Sequence, residues 1–107
     1  MNPKQIQNLQ RKIQKWTQQL GKIGPIMRGS VVVIGSRNKQ PYFSLNKDGK
    51  THLIYLGKQR VAQAHRYAAN YQKLTRLVDE ITLLNMTLLK NQTHFQLAIR
   101  SSQNAQP

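Results

Sequence analysis

Residues 42–56 read YFSLNKDGKTHLIYL, and the whole architecture can be built outward from this stretch because it contains a complete hairpin. Two strand-like runs, residues 42–46 and 51–56, lie on either side of Asp48 and Gly49. An Asp-Gly pair is typical of the tight turn that joins two antiparallel strands. The sequence therefore predicts a β-hairpin here.

A further strand precedes the hairpin. Residues 31–34 are four consecutive β-branched residues bounded by Gly29 and Gly35. Such a run is too short for a helix and is typical of a buried strand. Together with the hairpin it predicts a small three-stranded antiparallel sheet over residues 30–57.

The amino-terminal segment has the pattern of an amphipathic helix. Asn2 can accept a hydrogen bond from a free amide, and Pro3 needs no donor at the first helical position. Apolar residues then recur every three or four positions and form one seam: Ile6, Leu9, Ile13, Trp16, Leu20 and Ile23. Four cations lie on the opposite face: Lys4, Arg11, Lys15 and Lys22. We predict a helix over residues 3–22 with one packing side and one basic stripe.

A helical period returns after the sheet and continues for more than three heptads. The seam consists of Ala64, Tyr67, Tyr71, Leu74, Val78, Ile81, Asn85 and Leu88. A helix over residues 59–91 is on the order of 50 Å long, whereas the first helix is on the order of 30 Å. The excess seam must pack on the sheet, on a second copy or on another protein, and dimerisation is the simplest of these.

The predicted oligomerisation surface is the carboxy-terminal part of this seam. It consists of Leu74, Val78, Ile81, Asn85 and Leu88. Asn85 either pairs across the interface and fixes its register or is an ordinary exposed residue, and the sequence favours neither.

These elements predict one α+β domain over residues 1–100. It has an amino-terminal helix, the three-stranded sheet and a long carboxy-terminal helix with coiled-coil character. Residues 92–100 continue the helical seam or form a short strand, since Phe95, Leu97 and Ile99 alternate. Residues 101–107 carry nothing to bury and are expected to be a disordered tail.

Charge gives the strongest indication of a partner. The chain has seventeen Lys and Arg residues and three acids, which gives a net charge of +14. A charge of this size indicates a polyanionic partner. Nucleic acid is the commonest one. A membrane is not expected, because the chain has no long apolar run, signal-peptide pattern or lipidation motif. We therefore expect a soluble, cytoplasmic protein.

Cysteine is absent, which excludes disulfides, thiolate metal sites and the usual zinc-based DNA-binding modules. We expect no cofactor and no metal. Catalysis is not expected either, because the three acids are Asp48 in a turn and the adjacent Asp79 and Glu80 on a helix, which cannot meet in one site. The three histidines have no metal-ligand spacing.

The candidate nucleic-acid surface combines the sheet with the helix stripes. If Phe43 and Leu45 point inward, Tyr42, Ser44 and Asn46 point outward, and the adjoining loops add cations to make a basic face. The candidate contact residues are Lys4, Arg11, Lys15, Lys22, Arg37, Lys39, Tyr42, Asn46, Lys47, Lys50, Arg66, Lys73 and Arg76. Cations would contact phosphates while amides read base edges, which favours DNA. Stacking of RNA or single strands on Tyr42 or Tyr55 stays open.

Cations are unevenly distributed along the long helix. They are frequent up to Arg76, after which the next one is Lys90. This indicates a division in which the sheet and the nearby helix turns face nucleic acid while the Leu-rich end associates.

The predicted arrangement is three strands followed by a helix, and Gly57 ends the last strand. This arrangement resembles the small arm-binding domains of tyrosine recombinases. That resemblance is topological and implies binding of the sheet in a DNA groove.

A longer resemblance covers Arg28 to Leu89. The matching features are Arg28-Gly29-Ser30-Val31, Pro41-Tyr42-Phe43, Gly49-Lys50-Thr51 with Tyr55, Tyr71, and Asn85 with Leu88 and Leu89. On these the chain resembles an uncharacterised family of small bacterial proteins associated with transposable elements. Members usually carry cysteines before the Pro-Tyr motif, where this chain has Arg37-Asn38-Lys39-Gln40. The resemblance implies a bacterial origin and a mobile-element context, without a mechanism.

Three functions are compatible with these features. The first is a non-catalytic DNA-binding accessory or regulatory protein that acts as a homodimer or with a partner helix. The second is an RNA-binding or ribosome-associated protein. The third is a coiled-coil scaffold or subunit of a larger nucleoprotein complex, whose charge keeps it near nucleic acid.

Overall fold

The computed structural model describes residues 1–92 and has the predicted α+β architecture. Its elements, in chain order, are α1 (Pro3–Leu20), β1 (Ser30–Ile34), β2 (Gln40–Lys47), β3 (Lys50–Tyr55) and α2 (Gly57–Asn91). Gln92 forms a bend after α2. The remaining predictions for residues 93–107, a helix or strand followed by a tail, lie outside the described residues.

The three strands form one antiparallel sheet in the order β1-β2-β3. The predicted hairpin between β2 and β3 is confirmed, with Lys47 paired to Lys50 at its tip. Its two turn residues, Asp48 and Gly49, have φ angles of 54° and 73°. Positive φ at both central residues is the geometry whose twist matches that of two antiparallel strands.

The chain folds into two compact units. We call residues Gly21–Arg76 the sheet unit; it contains the sheet and the first part of α2. We call Met1–Leu20 together with the chain from Leu77 onward the helical unit; it contains α1 and the last part of α2.

The core of the sheet unit forms where the first turns of α2 cover one face of the sheet. Its buried residues are Phe43, Leu56 and Ala64, and the partly buried residues packed against them are Met27, Val31, Val61 and Ala68. Val61, Ala64 and Ala68 recur at the helical period and so lie on one face of α2. These residues pack against the Phe43 side of the sheet.

Gly29 permits the chain to pass close to β2. Its φ is +152°, and a Cβ atom there would overlap the carbonyl oxygen of Ser44 and lie 2.8 Å from the ring of Phe43. No side chain fits in that space. The glycine just before β1 is therefore required by packing against the core.

The helical unit begins with a reciprocal cap. The Gln5 amide donates to Asn2 Oδ1 at 2.8 Å, and the Asn2 amide donates to Gln5 Oε1 at 3.0 Å. This satisfies two amide donors at the start of α1 and confirms the predicted start. Leu9, Leu77 and Leu88 are the buried residues of this unit among those described.

Three predicted boundaries differ from the structure by about two residues. The first helix ends at Leu20, where residue 22 was predicted, so Lys22 lies in the following turn. The second strand begins at Gln40, two residues earlier than predicted, and α2 begins at Gly57 instead of residue 59. Among residues 1–92 there is no helix with the length and apolar character that crossing a membrane requires.

Candidate nucleic-acid interface

The side of the sheet opposite α2 is the candidate interface. Residues paired across antiparallel strands point to the same side, so Val31, Phe43 and Ile54 share the side that α2 packs on. The alternate residues form what we call the open face: Ser30, Val32, Ile34, Gln40, Tyr42, Ser44, Asn46, Thr51, Leu53 and Tyr55. None of them is buried. The predicted outward direction of Tyr42, Ser44 and Asn46 follows from the buried position of Phe43.

An aromatic pair stands at one end of the open face. The rings of Tyr42 and Tyr55 meet edge to face, with centroids 5.5 Å apart and planes at 66°. The Tyr55 hydroxyl donates to Gln40 Oε1 at 3.1 Å. This bond orients the Gln40 amide. Tyr55 is 49% exposed, so part of its ring is accessible to a ligand.

A second amide is held at the other end of the open face. The Thr51 hydroxyl donates to Asn46 Oδ1 at 2.8 Å, and the Arg28 guanidinium donates to the Asn46 backbone carbonyl at 3.1 Å. The Asn46 side chain is thus fixed by its neighbour across the strands. Both ends of the open face therefore present an oriented amide group.

Cations lie at the two ends of the sheet and not on the open face. Arg37 and Lys39 belong to the loop between β1 and β2, whereas Lys47 and Lys50 form the hairpin tip at the opposite end of β2. The eight residues of β2 separate the two loops by on the order of 25 Å at about 3.3 Å per residue. Lys47 and Lys50 share the side of Phe43 in the strand register and are exposed at the tip.

The predicted contact surface combines the outward residues of the sheet with cations of the adjoining loops, and in the structure these cations lie at the two ends of the sheet. The ten residues of the open face include no charged side chain, because the alternation that buries Phe43 places amides, hydroxyls, aromatic rings and aliphatic groups on the other side. The surface is a neutral face with a cationic loop at either end.

The basic stripe of α2 lies on the other side of the sheet unit. Arg66, Lys73 and Arg76 are exposed and fall about 120° to 200° around the helix from Ala64, which packs on the sheet. They point away from the sheet, whereas the open face lies beyond it. The structure therefore does not bring the α2 stripe and the open face together on one surface.

The stripe on α1 belongs to the helical unit. Lys4, Arg11 and Lys15 are exposed on the side of the helix opposite the buried Leu9, as predicted. Lys22, predicted as the fourth member, follows the end of the helix and is not part of the stripe. The sheet unit holds eleven of the seventeen cations and one of the three acids, so most of the charge belongs to it.

The predicted oligomerisation residues occupy different environments. Leu88 is 2% exposed and is therefore covered within its own chain. Leu74, Ile81 and Asn85 are half-buried, and Val78 is 46% exposed. The predicted seam thus combines residues that pack inside the chain with residues that face solvent.

Sequence reasoning missed Gln40 as a member of the open face. A strand that starts at Tyr42 leaves this residue in the loop. Pro41, which has no amide hydrogen, obscured the start of the strand. The pairing of Tyr42 with Tyr55 was predictable, because a two-residue turn at Asp48 and Gly49 fixes every partner in the hairpin.

Two shallow grooves lie beside β3 on the α2 side of the sheet. Their volumes are about 160 and about 270 Å³, and Met27 and Ile54 line both. They are mostly apolar and smaller than a usual small-molecule pocket. Within residues 1–92 no three His, Asp or Glu side chains come together in a way that could hold a metal ion.

Comparisons with protein-family models, with curated proteins and with solved structures find no match for this chain. A function must therefore be inferred from the geometry and charge of the described residues.

Proposed function

We propose that this chain is a non-catalytic DNA-binding protein, an accessory or regulatory factor, whose open face enters the major groove of duplex DNA. The observation that carries the proposal is the neutral open face, with oriented amides at both ends and cationic loops beyond them. Phosphate contacts position a protein on DNA, and contacts to base edges provide specificity. We place this role in the cytoplasm, at bacterial DNA.

The dimensions of the sheet support this mode of binding. A major groove is about 12 Å wide and admits β-strands. Cationic loops on the order of 25 Å apart can reach the phosphates on both sides of the groove while the strands lie inside it. Arg37 and Lys39 would contact one backbone, and Lys47 and Lys50 the other.

The chemistry of the open face matches that of base edges. A Gln or Asn amide can make two hydrogen bonds to adenine in the major groove, and aliphatic groups contact the thymine methyl. Gln40 and Asn46 supply the amides, and Val32 and Leu53 supply aliphatic groups between them. We therefore expect a preference for sites that contain A·T pairs.

Duplex DNA fits this face better than duplex RNA does. The major groove of A-form RNA is deep and narrow, so side chains on a sheet cannot reach the base edges. Single-stranded nucleic acid would bind differently, by stacking bases on the accessible ring of Tyr55.

The proposal is tested by fluorescence anisotropy with a labelled duplex, its single strand and an RNA hairpin of similar length, from about 50 to 300 mM salt. We expect the duplex to bind most tightly and to keep a sequence preference at the upper end of this range. Stronger binding of the single strand or of the hairpin at every salt concentration would contradict the proposal and favour RNA binding. Equal loss of binding to all three nucleic acids at moderate salt would favour the scaffold function.

A matched pair of variants locates the contact surface. Lys47→Glu with Lys50→Glu should lower duplex affinity at least about tenfold and reduce the salt slope by about 2, because two phosphate contacts are lost. Arg66→Glu with Lys73→Glu makes the same change in net charge on α2, away from the open face and from the hairpin tip, and should lower affinity less than about threefold. Equal losses in the two variants would mean that net charge, and not the open face, determines binding.

A further inference from the structure

A second row of residues, apolar at its two ends and polar in its middle, runs along the solvent side of α2 in the helical unit. Val78, Thr82, Asn85 and Leu89 follow one another at spacings of four, three and four, which places them on one face of the helix. We call these four residues the distal stripe. Asn85 is half-buried, the other three are exposed, and Met86 beside them is 59% exposed.

The distal stripe is distinct from the row that packs inside the helical unit. Leu77 and Leu88 are buried, and Ile81 and Leu84 between them are half-buried, so the inner row lies about 100° around the helix from the distal stripe. Side chains of the inner row are already covered. The distal stripe is left without a partner among residues 1–92.

Charge indicates what covers the distal stripe. Residues 77–89 form the longest stretch of the chain without Lys or Arg, and they contain Asp79 and Glu80, two of its three acids. Two copies of a chain with a net charge of +14 repel each other strongly wherever their cations face. A second copy can therefore approach with least repulsion at the distal stripe, where its own distal stripe can pack against an identical surface.

We propose that the chain forms a homodimer in which the distal stripes of two copies pack antiparallel and cross near Asn85. In this register, each residue faces the partner residue whose number, added to its own, gives about 170. Asp79 then lies opposite Lys90 of the partner subunit. By symmetry the dimer contains this pair twice. Asp79 and Lys90 flank the same side of the stripe, and same-side flanks meet in an antiparallel pair of helices. In a parallel pair opposite flanks meet, so Asp79 would lie at the height of its own copy on the other edge of the interface and would not meet Lys90.

Asn85 gives the crossing point a polar group. In an antiparallel pair centred there, its amide lies beside the same amide of the other copy, and two amides can donate and accept mutually. A polar residue at one core position of paired helices fixes their register at some cost in stability. This gives the half-buried Asn85 a role at the centre of the distal stripe.

The dimer is tested first by charge exchange, with sedimentation equilibrium of the protein in the absence of nucleic acid. The wild-type chain should have twice the mass of one chain at micromolar concentration. Asp79→Lys should raise the dimer dissociation constant at least about tenfold, because two attractive pairs become repulsive. Asp79→Lys combined with Lys90→Asp should bring the constant back to within about threefold of the wild-type value.

Glu80→Lys is the matched control, since it makes the same charge change one residue away on the helix face opposite the distal stripe. It should leave the dissociation constant within about threefold of the wild-type value. A wild-type protein that stays monomeric at about 100 μM overturns the proposal. A double variant that stays as weak as Asp79→Lys overturns the antiparallel register.

Disulfide trapping tests the orientation independently, because the chain has no cysteine of its own. Asn85→Cys lies at the crossing point and should form a covalent dimer under mild oxidation. Val78→Cys should not, because in the antiparallel register the two copies of this position are about 20 Å apart, whereas a disulfide needs its two α-carbons within about 7 Å. Efficient crosslinking of Val78→Cys would show a parallel pair, and no crosslinking of Asn85→Cys would overturn the interface.

Discussion

The two parts of α2 belong to one continuous helix and differ in almost every chemical property. Residues 57–76 carry five cations, no acid and no exposed large apolar side chain. Residues 77–91 carry one cation, two acids and four exposed apolar residues: Val78, Leu83, Met86 and Leu89. Both parts have the same spacing of apolar residues. The two parts therefore differ in charge and in exposed apolar groups, and not in periodicity.

The same contrast applies to the interiors of the two units. The sheet unit has an aromatic side chain at its centre, covered by small residues of α2, whereas the helical unit has three buried leucines among residues 1–92. So small an interior leaves little stability to spare. Association through the distal stripe would add burial to the helical unit.

Removing the central aromatic residue should have the largest effect on the sheet unit. Phe43 is 5% exposed, and Phe43→Ala should lower the free energy of unfolding by about 3–5 kcal/mol, because a cavity replaces the ring. Urea denaturation followed by circular dichroism measures the change. Phe43→Leu keeps most of the volume and should cost less than about 2 kcal/mol. A cost below about 1 kcal/mol for Phe43→Ala would mean that this ring does not organise the unit.

Two glycines of the sheet unit provide a comparison of smaller effects. Gly29→Ala should cost more than about 2 kcal/mol, because its Cβ would overlap the Ser44 carbonyl and the Phe43 ring. Gly49→Ala should cost only about 1 kcal/mol, because its φ is also positive but nothing lies within 4 Å of the new atom. Thermal denaturation of the two variants should rank them in this order, and the reverse order would contradict the described path of the chain before β1.

Loss of the oriented amides should change only the sequence specificity of DNA binding. Gln40→Ala and Asn46→Ala should each lower the affinity for the preferred duplex by about 1–3 kcal/mol and leave binding to unrelated duplexes unchanged. Their salt slopes should match that of the wild-type protein, since no phosphate contact is removed. Competition binding with the preferred and an unrelated duplex measures the ratio of the two affinities. A uniform loss on both duplexes would indicate that these amides do not face bases.

The architecture was largely predictable because its signals are local. The Asp48-Gly49 turn, the glycine-bounded strand of valines and the Asn2-Pro3 cap each depend on a few neighbouring residues. The open face was partly predictable, since one buried position, Phe43, fixes the direction of every residue in the hairpin. The cations were assigned to the loops that adjoin this face, and the structure has them at the two ends of the sheet.

The helix interface could not be resolved from the sequence. Leu77 and Val78 begin two neighbouring rows with the same three-and-four spacing, and each row begins and ends with an apolar residue. Only the fold determines which row faces the interior of the chain. Leu88 was therefore assigned to the oligomerisation surface although its own chain buries it, and Leu89, its exposed neighbour, was not.

Nucleic-acid binding and self-association, as proposed, belong to different parts of the molecule. Sedimentation velocity of the Lys47→Glu, Lys50→Glu variant, mixed with labelled duplex, tests this separation in one experiment. We predict protein that sediments at the mass of two chains while the duplex sediments as free DNA. Protein at the mass of one chain together with free DNA would refute the separation, because a change at the hairpin tip would then have abolished both properties.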